Sequence, residues 1–567
     1  MTFMNNLPAW RSVQALARRW AIPHGHLILG AAAVLTLVHN AAFWGQLFQS
    51  YPFATANLWF QASVAACLFA VTALLLSLFD VRLLLKPALV VFFLAASGAA
   101  YFMDTYGVVI DHDMLRNAAQ TNSQETLDLL NLRFLGYVLG LGVLPSLAIL
   151  LAQVRWPDTF RSGLGARFRR AGILLGVLAV SIVPLGRTWA SFLREHKAIR
   201  QYANPGFLAY SAVKFGLSGP EGSKGPVRPL GEDARIPATD KGRELLIVVV
   251  GESARADHFS LNGYGRETNP ELSRLPVISF TNVHAEATST ATAVPMMFSP
   301  LDPSDFSVKR ARASENLLDV LRHAGVNVLW RDNNSDSKGV ADRIPYEDFK
   351  TDRNPDMEGG EPRDEGMLAG LQAYIDGHPK GDIVIVLHQM GNHGPAYYKR
   401  YPPAFEHFKP VRKTSELGDC SPEEIANAYD NAIRYTDHFL AAAIRLLERN
   451  KGKFEAGLLY WSDHGESLGE KGVYLHGMPP FMAPDEQKHV ASLFWFADSF
   501  EIDTGRFRRA RDLPLTHANL FHTVLGLLEI ESQVYDPRKD IARLIDPSSP
   551  ALAQHSGVPQ PMNLHAN

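Results

Sequence analysis

The chain has 567 residues, a formal net charge of -3 and a pI near 6.7. It is too long for one ordinary domain, and its near-neutral balance excludes the electrostatic attraction to nucleic acid that a strongly basic protein has. The mean hydropathy of -0.06 hides an asymmetry, because roughly the first two hundred residues are very apolar and the rest is ordinary globular sequence.

Residues 1–20 are polar and basic, with Arg11, Arg18 and Arg19. Five apolar stretches follow, at 26–44, 58–79, 87–103, 134–154 and 171–189. Each approaches the ~20 residues that carry a helix across ~30 Å of hydrocarbon. A cleaved signal peptide would account for the first alone. Positive charge collects at Arg18 and Arg19, in the second loop at Arg82 and Lys86, and in the fourth at Arg155, Arg161, Arg167, Arg169 and Arg170. The first loop is uncharged and the third, 104–133, is mostly acidic. The positive-inside rule therefore puts the N-terminus and the even loops in the cytoplasm and everything after Trp189 outside, which in a bacterium is the periplasm. The third loop, with Asp111-His112-Asp113 and the polar run 117–126, reads either as a flap over a site or as a solvated loop. Residues 190–216 are amphipathic and suit a membrane interface or a plain connecting helix. Gly and Pro then mark a linker at 217–241.

The expected domains are a five-helix transmembrane part (1–190), an interfacial segment and linker (191–242), a catalytic domain (243–545) and a Pro-, Ser- and His-rich tail (546–567) read as disordered. In the catalytic part, apolar runs at 244–250, 326–330, 382–387 and 457–461 have strand length, and helical patterns at 314–323 and 425–449 lie between them. Short apolar strands alternating with helices predict an α/β fold with a mainly parallel, doubly covered sheet. Each strand ends in polar residues, so one rim gathers Glu252, Asn334, Lys338, His393, Asp463, His464 and His476. A carboxylate, an adjacent carboxylate–imidazole pair and further imidazoles suit a zinc-like ion, or two. Residues 288–299 pass from small hydroxyl residues into an apolar helical pattern. That is a helix N-terminus whose hydroxyls either cap it or hold and attack an anion.

These stretches resemble the bacterial phosphoethanolamine transferases that modify lipid A, the family of polymyxin (colistin) resistance. The resemblance rests on VGESARA at 250–256, NGY at 262–264, RETNP at 266–270, 288–299, WRDNNSDSKG at 330–339, LHQMGNHGPAY at 387–397, AYDN at 428–431, 462–478, and 106–132 with 192–205 in the membrane half. It implies an inner-membrane domain and a periplasmic alkaline-phosphatase-like (sulfatase-like) domain. It also implies a zinc-dependent transfer of phosphoethanolamine from phosphatidylethanolamine to lipid A through a phosphoethanolamine–threonine intermediate. In this sequence the family's nucleophile falls on Thr290. Its ligands to one tightly bound Zn2+ fall on Glu252, Thr290, Asp463 and His464, and a second ion has a possible place. His393 and His476 match its further site histidines, and Asn334 and Lys338 its phosphate contacts. Asn117 and Glu125 match positions proposed to hold the lipid headgroup. A monomer that binds no nucleic acid is expected.

The chain departs from that family in its cysteines, which are only Cys67 and Cys420. A family disulfide that brackets the nucleophile loop falls on Glu286 and Met296, and the usual partner of Cys420 on Arg412. Neighbouring readings are transfer of phosphoethanolamine or phosphoglycerol to another periplasmic glycan, or a sulfatase-like hydrolase. A reading of another class is a membrane-anchored sensor with a dead site, which the intact ligand set argues against.

Overall fold

The computed structural model describes residues 21–120, 129–217, 226–509 and 511–544. The basic N-terminus, Glu125 and the 546–567 tail lie outside the described residues. The chain divides into two compact units, Met1–Leu115 with Leu129–Ser218, and Arg116–Asp128 with Gly219–Asn567.

The first unit is helical. Its elements are α1 (His24–Val38), α2 (Ala41–Ser50), α3 (Thr55–Ser77), α4 (Leu85–Tyr106), the start of α5 (His112–Gln120), whose residues from Arg116 group with the second unit, α6 (Leu132–Leu151) and α7 (Phe160–Glu195). Helices α3, α4, α6 and α7 are long and apolar enough to cross a membrane, and α1 with α2 makes a fifth span if that pair counts as one. The first stretch is thus not one straight helix, because α1 and α2 meet at 58°. The bend has a polar cause. The Asn40 amide donates to the carbonyls of Leu35 (2.8 Å) and Asn204 (2.6 Å), and its oxygen accepts the Asn204 N–H at 2.8 Å. Helix α7 begins at Phe160, eleven residues before the apolar stretch, on a capping box made by Thr159 and Ser162. Eleven of the sixteen residues of the expected fourth loop, 155–170, are therefore helix. From it, Arg170 bonds the buried Asp80 and Arg167 Nε lies 3.4 Å from the same carboxylate, which also accepts His24 Nδ1 at 2.7 Å.

The second unit is built on seven strands: β1 (Glu244–Gly251), β2 (Ile278–Phe280), β3 (Asn327–Asp332), β4 (Tyr346–Asp348), β5 (Ile383–His388), β6 (Glu455–Ser462) and β7 (Ser492–Phe496). Their order across the sheet is β2-β7-β6-β1-β5-β3-β4. The central strands are parallel, and β7 pairs antiparallel with both β6 and β2. Every residue of β1 is buried, as expected of a parallel strand covered on both faces. The core joins Leu246, Val248 and Val250 to Trp330, Val384, Trp461 and Phe494. The covering helices include α8 (Thr290–Met297), α9 (Leu317–His323), α10 (Pro422–Glu448) and α11 (Ala518–Leu527). Helix α10 starts on a Ser421/Glu424 capping box with Pro422 at its first position, where proline's missing N–H costs nothing. The parallel register pairs Ser462 with Gly251 and His388 with both Val250 and Asp332. That brings the residues that follow β1, β3, β5 and β6 to one level at one rim.

Candidate active site

Glu252 follows β1, and Asp463-His464 follow β6. All three side chains are fully buried, and one donor atom from each lies within 4.8 Å of the others. Ser253 turns the chain sharply at φ 56, a left-handed conformation that non-glycine residues rarely adopt. It is held there by its hydroxyl on Glu252 Oε1 (2.6 Å) and its N–H on Asp463 Oδ1 (3.2 Å). His464 donates Nδ1–H to the Gly465 carbonyl at 2.9 Å, which leaves the Nε2 lone pair for the site. That Nε2 is 3.4 Å from Glu252 Oε1 and 3.3 Å from Asp463 Oδ2.

Thr290 is the first residue of α8, after Ser289 in extended conformation. Its hydroxyl donates to Glu252 Oε2 at 3.1 Å and lies 3.3 Å from His464 Nε2. Asn334 donates from Nδ2 to the same Glu252 oxygen at 2.9 Å and to the Gln389 carbonyl at 2.7 Å. Glu252, Thr290, Asn334, Asp463 and His464 therefore form one knot. His476 and His393 flank it, with the His476 ring 4.2 Å from that of His464 and 5.3 Å from that of His393. Lys338 is buried, but its ammonium donates to the Ser335 carbonyl at 2.6 Å and the Gln120 carbonyl at 3.4 Å. Asn117 lies on α5, in the 116–128 segment that groups with the second unit.

The electrostatics are those of a cation site. Burial pushes the Glu252 carboxyl up, but His464, His393 and His476 outweigh it and hold it well below the usual range. Burial and then the Glu252 charge push Asp463 up. Burial pulls His464 down, but Asp463 and Glu252 win and raise it. Asp463 Oδ2 is buried with no hydrogen-bond donor among the described residues. Two carboxylates, an imidazole with its lone pair turned inward and a hydroxyl make a donor set that fits a zinc-like ion.

Several supporting residues were not assigned from sequence. Glu466 accepts His476 Nδ1–H at 2.8 Å and the Tyr397 hydroxyl at 2.7 Å. Asp364, fully buried, accepts from Asn333 Nδ2 (2.8 Å) and from the N–H groups of Met390 (2.9 Å) and Gly391 (3.1 Å). It ties the loop bearing Asn334 to the loop bearing His393. Glu466 stands in the Asp-His-Gly-Glu run, a legible signal; nothing local marks Asp364.

Residues 244–530 match the family model described as Sulfatase, and 68–218 the model described as Phosphoethanolamine transferase EptA/EptB. The chain is 41% identical over 539 residues to phosphatidylethanolamine transferase Mcr-1 of Escherichia coli, covering 91% of this chain and 97% of that protein. It is 36% identical over 526 residues to phosphoethanolamine transferase EptA of Escherichia coli (strain K12), covering 91% and 95%. The integral membrane lipooligosaccharide phosphoethanolamine transferase A (EptA) from Neisseria meningitidis matches with TM-score 0.88 at 30% identity, over 91% of this chain and 98% of that one. Apolar helices, a sulfatase-type sheet and a cation-ready rim thus occur together in one chain that matches these relatives along nearly its whole length. It belongs to the phosphoethanolamine transferases of the EptA/Mcr type, inner-membrane enzymes with a periplasmic catalytic domain.

Proposed function

We propose that this enzyme moves phosphoethanolamine from phosphatidylethanolamine to Thr290, and from Thr290 to a phosphate of lipid A in lipopolysaccharide. Residues 243–545 act as the catalytic domain, residues 1–190 hold it to the membrane, and the enzyme works as a monomer. The observation that carries the reading is the Thr290 hydroxyl, clasped between Glu252 Oε2 and His464 Nε2 at the start of α8. The names of two relatives, phosphatidylethanolamine transferase Mcr-1 and lipooligosaccharide phosphoethanolamine transferase A (EptA) from Neisseria meningitidis, support the donor and the lipooligosaccharide type of acceptor.

Glu252, Asp463, His464 and Thr290 would hold Zn2+, which supplies the positive charge that lowers a hydroxyl pKa and offsets charge on a phosphoryl group. Thr290 Oγ1 attacks phosphorus, and its proton leaves along the hydrogen bond to Glu252. The bond from phosphorus to the diacylglycerol oxygen breaks, and that oxygen takes a proton from His393 or His476. In the second half, a lipid A phosphate oxygen attacks the same phosphorus and Thr290 leaves. Asn334 and Lys338 sit on the loop that meets the equatorial oxygens. His393 and His476, with Glu252, also offer three donor atoms within 4.8 Å for a second ion. Asn117 and Glu125, which fall on the family's lipid-headgroup positions, are assigned to binding the substrate headgroup. The added amine lowers the negative charge of the outer surface, and with it polymyxin binding.

The test has two arms. Incubation with phosphatidylethanolamine and no acceptor should leave phosphoethanolamine on the peptide bearing Thr290. Mass spectrometry of lipid A from cells with and without the protein should show the added group. An adduct on another residue overturns the nucleophile, and unmodified lipid A overturns the acceptor.

A further inference from the structure

Three of the stretches that carry the resemblance hold no candidate ligand: NGY at 262–264, RETNP at 266–270 and AYDN at 428–431. They meet at Asp430 of α10. Its buried carboxylate accepts His258 Nδ1–H at 2.7 Å, the Tyr264 hydroxyl at 3.0 Å and Arg266 Nη1 at 2.8 Å. The same Arg266 nitrogen donates to Asn427 Oδ1 at 2.8 Å. Asp437 accepts the N–H groups of Glu271 (2.9 Å) and Leu272 (3.0 Å). Positions 430 and 437 are nearly two turns apart, so they share one face of the helix. Helix α10 is thus clasped at two levels by the segment 258–272.

What this clasp holds in place is the neighbouring Tyr429, which is fully buried. Its hydroxyl donates to the Ser253 carbonyl at 2.6 Å and accepts the Arg255 N–H at 3.0 Å. Both bonds therefore go to the left-handed turn that follows Glu252. Such a turn costs free energy at a residue with a side chain, and it persists only where its surroundings hold it. Ser253 makes two further hydrogen bonds, and both end on candidate ligands: its hydroxyl on Glu252 Oε1 and its N–H on Asp463 Oδ1. Those carboxylates are what an ion would draw on. The bond from Tyr429 is the hold on Ser253 that runs through no ligand. On the preceding residue, the Glu252 carbonyl accepts the Asn392 N–H at 3.1 Å, so the backbone that carries the ligand is gripped from two directions.

We infer that Tyr429 is a positioning residue for the proposed zinc site. Its hydroxyl sets the 253–255 turn, and with it the place of the Glu252 carboxylate, before any ion arrives. This rests on the zinc reading of the rim given above. It also gives the three ligand-free stretches a common task, which is to seat α10 so that Tyr429 meets the turn. Partners of this kind, one step behind the ligands, govern how tightly a metal is held.

The experiment uses the full-length protein in detergent, with zinc alone as the probe and a chelator of known affinity as competitor. Tyr429→Phe keeps the ring and removes the hydroxyl, and it should weaken zinc binding about 10- to 100-fold. Arg266→Gln changes a partly exposed side chain that steadies Asp430, and it should weaken zinc binding by a smaller factor. Tyr535→Phe is the control. Its hydroxyl donates to Asp540 Oδ2 at 2.6 Å, and it shares a cavity wall with Glu244 and Glu455, which open β1 and β6 at the end of the sheet away from the rim. That variant should lower Tm and leave the zinc affinity of the parent. Undiminished zinc affinity in Tyr429→Phe overturns the inference, as does undiminished affinity in Arg266→Gln if Tyr429→Phe does not fold. An equal loss of affinity in Tyr535→Phe overturns it too, because general destabilisation then accounts for the effect. A parent that binds no zinc overturns the zinc reading itself, and this inference with it.

Discussion

Glu466 binds His476 through one carboxylate oxygen and Tyr397 through the other, at 2.8 and 2.7 Å, in a fully buried setting. The pairing fixes the proton on His476 Nδ1 and leaves Nε2 free for the site. Glu466→Gln should therefore slow transfer about 10- to 100-fold while the bound metal is retained. Steady-state rates and metal analysis on the same preparation check this, and an unchanged rate shows that His476 needs no such orientation.

The three threonines near α8 are distinguishable. Thr288 donates to the Met478 carbonyl at 2.5 Å, and Thr292 Oγ1 is buried with no partner among the described residues. Thr292→Val should leave activity intact and raise stability slightly, because it removes an unpaired buried hydroxyl. Thr288→Val should cost about 1 kcal/mol. Thr290→Ala should abolish transfer, and Thr290→Ser should keep part of it, since the hydroxyl survives. Full turnover in Thr290→Ala would falsify the proposed nucleophile.

Glu252 and Asp463 crowd two carboxyls into one buried place. Asp463→Asn removes a ligand and also the repulsion. Thermal denaturation with and without a chelator should cross over. The zinc-loaded parent is more stable than the variant, and the stripped parent is less stable than the variant. Parallel curves in the two states would exclude a metal at these residues.

Glu286 marks a pH effect. Burial pushes its carboxyl up to about 7, from 4.5. A raised carboxyl pKa favours the protonated folded form, so its stabilising contribution is complete below 4.5 and fades as pH rises towards 7. Above pH 7 the native state carries an ill-solvated charge. Glu286→Gln should thus stabilise the protein by about 1–2 kcal/mol at pH 8 and by little at pH 4.5. Denaturant melts at the two pH values measure the difference, and a gain independent of pH assigns the effect to packing. Met296 packs with Ala287, Ala293 and Phe306, so this side of α8 is held by apolar contact.

The rim was readable because each strand that feeds it is an apolar run ending abruptly in polar residues. Glu252, Asp463 and His464 are the first side chains past buried backbone. Thr290 stood out less, since its hydroxyl neighbours share its local pattern and only the three-dimensional clasp by Glu252 and His464 separates them. The bend between α1 and α2 was hidden because Asn40 answers to Asn204, 164 positions along the chain. The early start of α7 was masked by charge. Arg167 and Arg170 read as loop, whereas they face a buried Asp80. Lys338 follows β3 as its sequence position implies, and its ammonium donates to the Ser335 and Gln120 carbonyls, a detail that depends on exact geometry. Cys67 and Cys420 are both free thiols, and Arg412 stands where the family places the usual partner of Cys420.

The buried run of β1, Leu-Leu-Ile-Val-Val-Val, is nearly self-similar. Slid two residues against β6, it would still present apolar side chains to both covering layers, so packing alone discriminates poorly between the native pairing and such a slip. The polar ends do discriminate. Only the pairing of Gly251 with Ser462 brings Glu252 level with Asp463 and His464. A cation that demands all three at once would reward that alignment and no shifted one. Ion supply during secretion would then govern how much chain is correctly assembled, and starvation for the ion would show first as misassembled, protease-sensitive enzyme.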